Sequence, residues 1–147
     1  MENGLEIFDF IAKEMHLEEH DLRTYSPLTL AYLGDAVYQV IIRTIVVSKG
    51  NTQVNKLHKK SSTLVKAEAQ ANIIKGIMEI LNEEEIGYYK RGRNAKSYTS
   101  AKNATIADYR MATGFEALIG YLYLSNQSER MMFLIQKGLD IILERSN

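Results

Sequence analysis

Residues 28–47, LTLAYLGDAVYQVIIRTIVV, are the stretch that most limits what this chain can become, because a long apolar run of helical character carries an acid, Asp35, near its middle. Positions three, four, seven and eleven apart share one side of a helix, so Asp35 sits on a face with Ala31, Tyr38, Gln39, Ile42 and Val46. The opposite stripe, Leu33, Val37, Val40, Ile41 and Thr44, is also mostly apolar. A helix apolar almost all round belongs in a core or an interface. There an ionised carboxylate needs a partner, which leaves three roles for Asp35: a hydrogen-bonded acid, a salt bridge or a metal ligand.

A second run repeats the anomaly. MATGFEALIGYLYL, residues 111–124, contains Glu116 as its only ionisable side chain apart from two tyrosines. Ala112, Thr113, Ala117 and Gly120 flank the acid, and Gly114 with Gly120 lowers helix propensity, which close packing or a ligand would justify. Hard divalent cations such as Mg²⁺ take oxygen ligands and a few carboxylates plus waters, so two acids suit Mg²⁺ better than Zn²⁺. Asp35 and Glu116 lie 81 positions apart. From spacing alone they either meet at one cation or have separate Arg or backbone partners.

The rest of the chain is helical in pattern. Leu5, Phe8, Ile11, Ala12 and Met15 give a short amphipathic helix, and the polar EEHDLRTYS reads as a linker. Ser26 before Pro27, the only proline, marks a helix start, and Gly50 in SKGN marks its end. Val54, Leu57, Leu64, Ala67, Ala71 and Ile74 continue the period, with a break expected near Ser61, and NEEEIGYYKRG opens another helix. The polar RGRNAKSYTSAKNAT separates it from the Glu116 run, and Met131, Leu134, Ile135, Leu139 and Ile142 line one side of the last helix. No alternating strand pattern persists. The expected fold is all-α.

At 147 residues the chain is long enough for one real core and short for two. With no Cys it forms neither disulfides nor thiolate metal sites, which suits a cytoplasmic setting. Residues 1–21 hold seven acids and one Lys, the wrong charge for a signal peptide, and Asp35, Arg43 and Glu116 are expected to interrupt the apolar runs before the roughly 18 residues of a membrane span. Charge is zero overall from 18 basic and 18 acidic residues, but residues 22–147 carry 17 basic against 11 acidic. An acidic leader and a basic body are compatible with a nucleic-acid partner.

The motif YLGDAVY resembles the FLGDAVL signature of the ribonuclease III endonuclease domain, and GFEALIGYLYL resembles that family's AFEALIGAIYLD, in the same order and at a similar separation. With LHKKSS and KRGRNAKS, the set is most similar to the short form, the Mini-ribonuclease III family, over about Leu28 to Leu124. The resemblance implies a homodimeric, all-helical, Mg²⁺-dependent endonuclease that cuts double-stranded RNA to leave 5′-phosphate and 3′-hydroxyl ends. It also implies Asp35 and Glu116 as catalytic metal ligands. The full-length family has a Glu four residues before the signature Asp and an Asp three before the second Glu, where this chain has Ala31 and Thr113. The short branch shares that reduction. Its implied cellular task is maturation of large-subunit (23S) ribosomal RNA, with a large-subunit ribosomal protein as a further partner. Residues 26–147 are then the catalytic domain, and 1–25 an N-terminal helix and linker. A catalytically silent RNA-binding domain, or a structural helical dimer with two salt-bridged acids, are the competing readings.

No counterpart of the family's usual double-stranded-RNA-binding domain is expected after the last helix, so phosphate contacts are expected from the catalytic domain. Residues 90–102, KRGRNAKSYTSAK, hold Lys90, Arg91, Arg93, Asn94, Lys96 and Lys102 with no acid, and read as a basic loop. Charge, hydroxyls and backbone reach suit A-form RNA, which is gripped through phosphates and 2′-hydroxyls. His58, Lys59 and Lys60 form a second candidate, although a lone His is as often a surface residue. Tyr109, Phe115, Tyr121 and Tyr123 are expected in core or dimer contacts, because duplex bases are not free to stack.

Overall fold

Side-chain caps fix where the site-bearing helices begin. Ser26 accepts a hydrogen bond from the Thr29 amide at 3.1 Å, Thr105 accepts from Asp108 at 3.0 Å, and Asn82 and Glu85 cap each other reciprocally. In the computed structural model, which describes residues 6–95 and 104–144, these starts belong to an array of α-helices: α1 (Ile7–Glu14), α2 (Pro27–Val47), α3 (Val54–Val65), α4 (Ala67–Ile77), α5 (Glu83–Asn94), α6 (Ile106–Leu124) and α7 (Ser128–Ile142). Short 3₁₀ turns occupy Leu22–Thr24 and Met78–Ile80, and among the described residues there is no strand. The all-α expectation holds.

Helix α6 is the axis of the domain. Its run from Ala112 to Leu122 is buried at every position except Glu116, as an element apolar all round requires, and α2, α4 and α5 pack around it. Helix α7 closes the far side through Leu134, Ile135 and Leu139 against α4 and α6. Gly50 ends the turn after α2 with φ of +118°, the left-handed conformation anticipated there.

Two expectations change. The break in the Val54–Ile77 segment falls at Lys66, which is extended (φ −65°, ψ 158°), and not near Ser61. Ser61 stays helical, its hydroxyl donating to the Leu57 carbonyl one turn back at 2.9 Å without interrupting the backbone ladder. Helix α2 is also long and apolar enough, by length and composition, to cross a membrane, so Asp35 and Arg43 do not interrupt it as anticipated. Its buried stripe of Leu30, Ala31, Gly34, Tyr38, Ile42 and Val46 packs on α6, the position of a core helix. The other side is open, with Tyr32 83%, Val40 65% and Val47 58% exposed. Helix α1 buries no residue, and it touches the end of α6 through an edge-on Phe8–Tyr123 ring pair and a hydrogen bond from Asn126 to Asp9 at 3.0 Å.

Candidate active site

Asp35 and Glu116 meet where α2 crosses α6, and glycines make the meeting possible. A Cβ on Gly34 would overlap the Glu116 carbonyl oxygen and stand 2.8 Å from its carbon, and one on Gly120 would overlap the Leu30 carbonyl oxygen and stand 2.9 Å from its carbon. Only a bare backbone at both points lets the helices approach this closely. The helix propensity lost at Gly120 is thus explained by close packing. Asp35, the residue after Gly34, is carried to the rim of the crossing, where it is exposed; the expectation that the helix would bury it is corrected by the open side of α2. The private Arg partner that spacing leaves open is found for neither acid among the described residues, for their carboxyls reach each other.

The pair is electrostatically strained. Burial, followed by the charge of Asp35, pushes the Glu116 carboxyl up to about 8, while the Gln70 amide acts against the rise. Gln70, on α4, is 2% exposed and donates through Nε2 to Glu116 Oε2 at 3.2 Å and to the Val65 carbonyl at 2.8 Å. That carbonyl is available because the chain breaks at Lys66. One residue earlier, on the same α3 side of the break, the Tyr38 hydroxyl donates to the Leu64 carbonyl at 2.7 Å. Sequence pattern does not single out Gln70. An amide in an alanine-rich helix carries no local signal of what it faces.

Two close carboxylates, one half-buried, repel each other unless a proton or a cation lies between them. A hard divalent ion completed by waters fits this donor set, and no group of three or more His, Asp or Glu side chains converges among the described residues. Ala31 and Thr113, where full-length relatives of the motif carry acids, are both buried, and the Thr113 hydroxyl donates to the Tyr109 carbonyl at 3.0 Å. They serve packing here. A fully buried acid, Glu85, is not anticipated from the sequence. Burial pushes its carboxyl up, but Arg130, at 2.8 and 2.9 Å, and the Asn82 amide outweigh that and hold it below its ordinary value. It ties α5 to α7 and stands apart from the acid pair.

The basic candidates divide among several places. Lys90, Arg91, Arg93 and Asn94 form the last turn of α5 and so are helical, which corrects the reading of a continuous loop. Arg91 lies over the Tyr88 ring and Arg93 over the Tyr89 ring, at 5.5 and 5.6 Å, so both guanidiniums are held against aromatic faces. Lys96 and Lys102 lie outside the described residues. His58, Lys59 and Lys60 are exposed on α3. His58 borders a groove with Arg43, whereas Lys59 and Lys60 share an apolar-floored cleft of about 530 Å³ with Lys49 and Lys56, two lysines that give no signal in the sequence because they are isolated along the chain. Phe115 and Tyr121 are core residues, as expected, and Tyr121 stacks on Tyr88.

The helical fold is that of the ribonuclease III class, for residues 28–127 match the Ribonuclease III domain model. The chain is 56% identical over 129 residues to Mini-ribonuclease 3 of Clostridium tetani (87% of this chain, 85% of that one), and 44% identical over 135 residues to that of Thermoanaerobacter sp. (92% and 95%). A protein of Fusobacterium nucleatum known from its crystal structure superposes with a TM-score of 0.74 at 34% identity, over 86% of this chain and 99% of that one. The chain belongs to the Mini-ribonuclease 3 family and is a double-strand-specific endoribonuclease.

Proposed function

We propose that Asp35 and Glu116 together hold Mg²⁺ and that this pair is the catalytic centre for hydrolysis of duplex RNA. The observation that carries the reading is their convergence at the Gly34–Gly120 crossing, with one acid half-buried and one open to solvent. When bound, the cation supplies Lewis-acid polarisation of the scissile phosphate and a water of lowered pKa. Exposed Asp35 faces the side from which a duplex approaches. Glu116, oriented by Gln70, completes the pair from behind. Attack of water on phosphorus with cleavage of the P–O3′ bond leaves a 5′-phosphate and, once the departing oxygen takes up a proton, a 3′-hydroxyl, and no protein nucleophile is required.

Residues 26–147 carry this activity, with 1–25 an appended helix and linker. The exposed apolar side of α2 supports a homodimer, which would present two such sites to the two strands. Basic side chains of α3 and of the α5 end, with Lys96 and Lys102, supply phosphate contacts. The cellular substrate on this reading is the large-subunit (23S) ribosomal RNA precursor in the cytoplasm, with a ribosomal protein assisting. Asp35→Asn and Glu116→Gln test the centre: each should lower Mg²⁺-dependent cleavage of labelled duplex RNA at least about 100-fold while duplex binding persists. Near wild-type cutting by either variant at saturating Mg²⁺ would remove it from the metal site.

A further inference from the structure

Gln70 is buried to 2% exposure, yet its side chain is only half used by the protein. Nε2 donates to two acceptors, Val65 O and Glu116 Oε2, whereas Oε1 is buried with no hydrogen-bond partner among the described residues. The amide cannot profitably turn over, because Oε1 would then face the Val65 carbonyl, which only accepts. A buried orphan oxygen costs stability, and an apolar side chain of the same length would avoid that cost. What Gln70 gives in return is a donor aimed at Glu116. A glutamate carboxylate ends three rotatable bonds, so a ligand in that position needs a partner to fix its orientation.

We propose that Gln70 is the positioning residue of the metal site, its amide anchored on the α3–α4 break and holding the Glu116 carboxylate toward Asp35. The proposal rests on the reading of Asp35 and Glu116 as metal ligands. The anchor is a main-chain carbonyl, Val65 O, so the orientation comes from the backbone and not from a mobile side chain. The break at Lys66 thereby acquires a role: it directs a carbonyl at Gln70 that an uninterrupted α3–α4 helix would have used internally.

The test compares the full-length wild type with Gln70→Met, which keeps length and loses both polar atoms, and with Asp35→Asn. Mn²⁺ is titrated into each RNA-free protein, and duplex cleavage is followed across Mg²⁺ concentration. Gln70→Met should weaken Mn²⁺ binding roughly 10- to 100-fold and raise the Mg²⁺ needed for half-maximal cleavage by a similar factor. The KM for duplex RNA should stay unchanged, most of kcat should return at saturating Mg²⁺, and Tm should remain within about 3 °C. A merely structural Gln70 would instead lower Tm and leave metal affinity alone, which would overturn the proposal. Wild-type metal affinity in Gln70→Met beside loss of binding in Asp35→Asn rejects the positioning role and keeps the metal site; wild-type affinity in both rejects the two together. Gln70→Leu serves if the Met variant does not fold, and failure of both to fold assigns Gln70 to the core and ends the proposal.

Discussion

Glu116 is where burial and charge conflict, and pH should expose the conflict. With the folded carboxyl at about 8 and an unfolded one near its ordinary 4.5, the folded state holds the extra proton between those values. Stability of the metal-free protein should therefore fall as pH rises through that window. Glu116→Gln removes the group. In chelator-treated samples its Tm should match wild type near pH 5 and exceed it by about 3 °C or more at pH 8.5, a shift equal to ~1 kcal/mol in a domain of this size. Equal melting temperatures at both pH values would contradict the burial of this acid. Added Mg²⁺ should close the gap by raising wild type alone.

Among the elements, the α2–α6 crossing determines the site. Gly34→Ala places a methyl group inside the space of the Glu116 carbonyl, so the helices must part. Overpacking of this kind should cost about 3 kcal/mol and, by moving Asp35 away from Glu116, reduce cleavage roughly 100-fold. Urea denaturation and single-turnover cleavage measure the two effects, and an unperturbed Gly34→Ala enzyme would show that the crossing is slack. The helices themselves are legible from Ser26–Pro27, Gly50 and the apolar periods, because capping and amphipathicity are local. The break at Lys66 is not, because a lysine inside a helical pattern gives no local signal that its backbone turns extended.

For the whole molecule, the open side of α2 and the scattered lysines make two further predictions. Tyr32, Val40 and Val47 leave a large apolar surface on the very helix that carries Asp35, so light scattering at micromolar concentration should give twice the 16.7 kDa chain mass. A monomeric mass would count against paired sites. Lys49 and Lys56 join Lys59 and Lys60 around one cleft only in three dimensions. Replacing Lys59 and Lys60 with Ala should weaken duplex binding and flatten the dependence of log affinity on log salt by roughly one unit for each phosphate that is no longer neutralised. An unchanged salt slope would place the RNA footprint on the α5 end and beyond.

The sequence by itself determined the helical class, the helix starts, the two anomalous acids and the family, because each depends on short-range periodicity or on a contiguous motif. It also suggested that Gly114 and Gly120 served either close packing or a ligand. It did not determine that Asp35 and Glu116 come close enough to interact, since a separation of 81 positions leaves their distance to the way α2 and α6 pack. Nor did it show that Asp35 would be exposed: an all-round apolar helix does not reveal which side its own chain leaves uncovered. Gln70 and Glu85 were invisible for the same reason, as a polar residue in a helical pattern does not announce its partner. Those features belong to the tertiary structure, where a bare backbone at Gly34 and Gly120 turns two distant acids into one site.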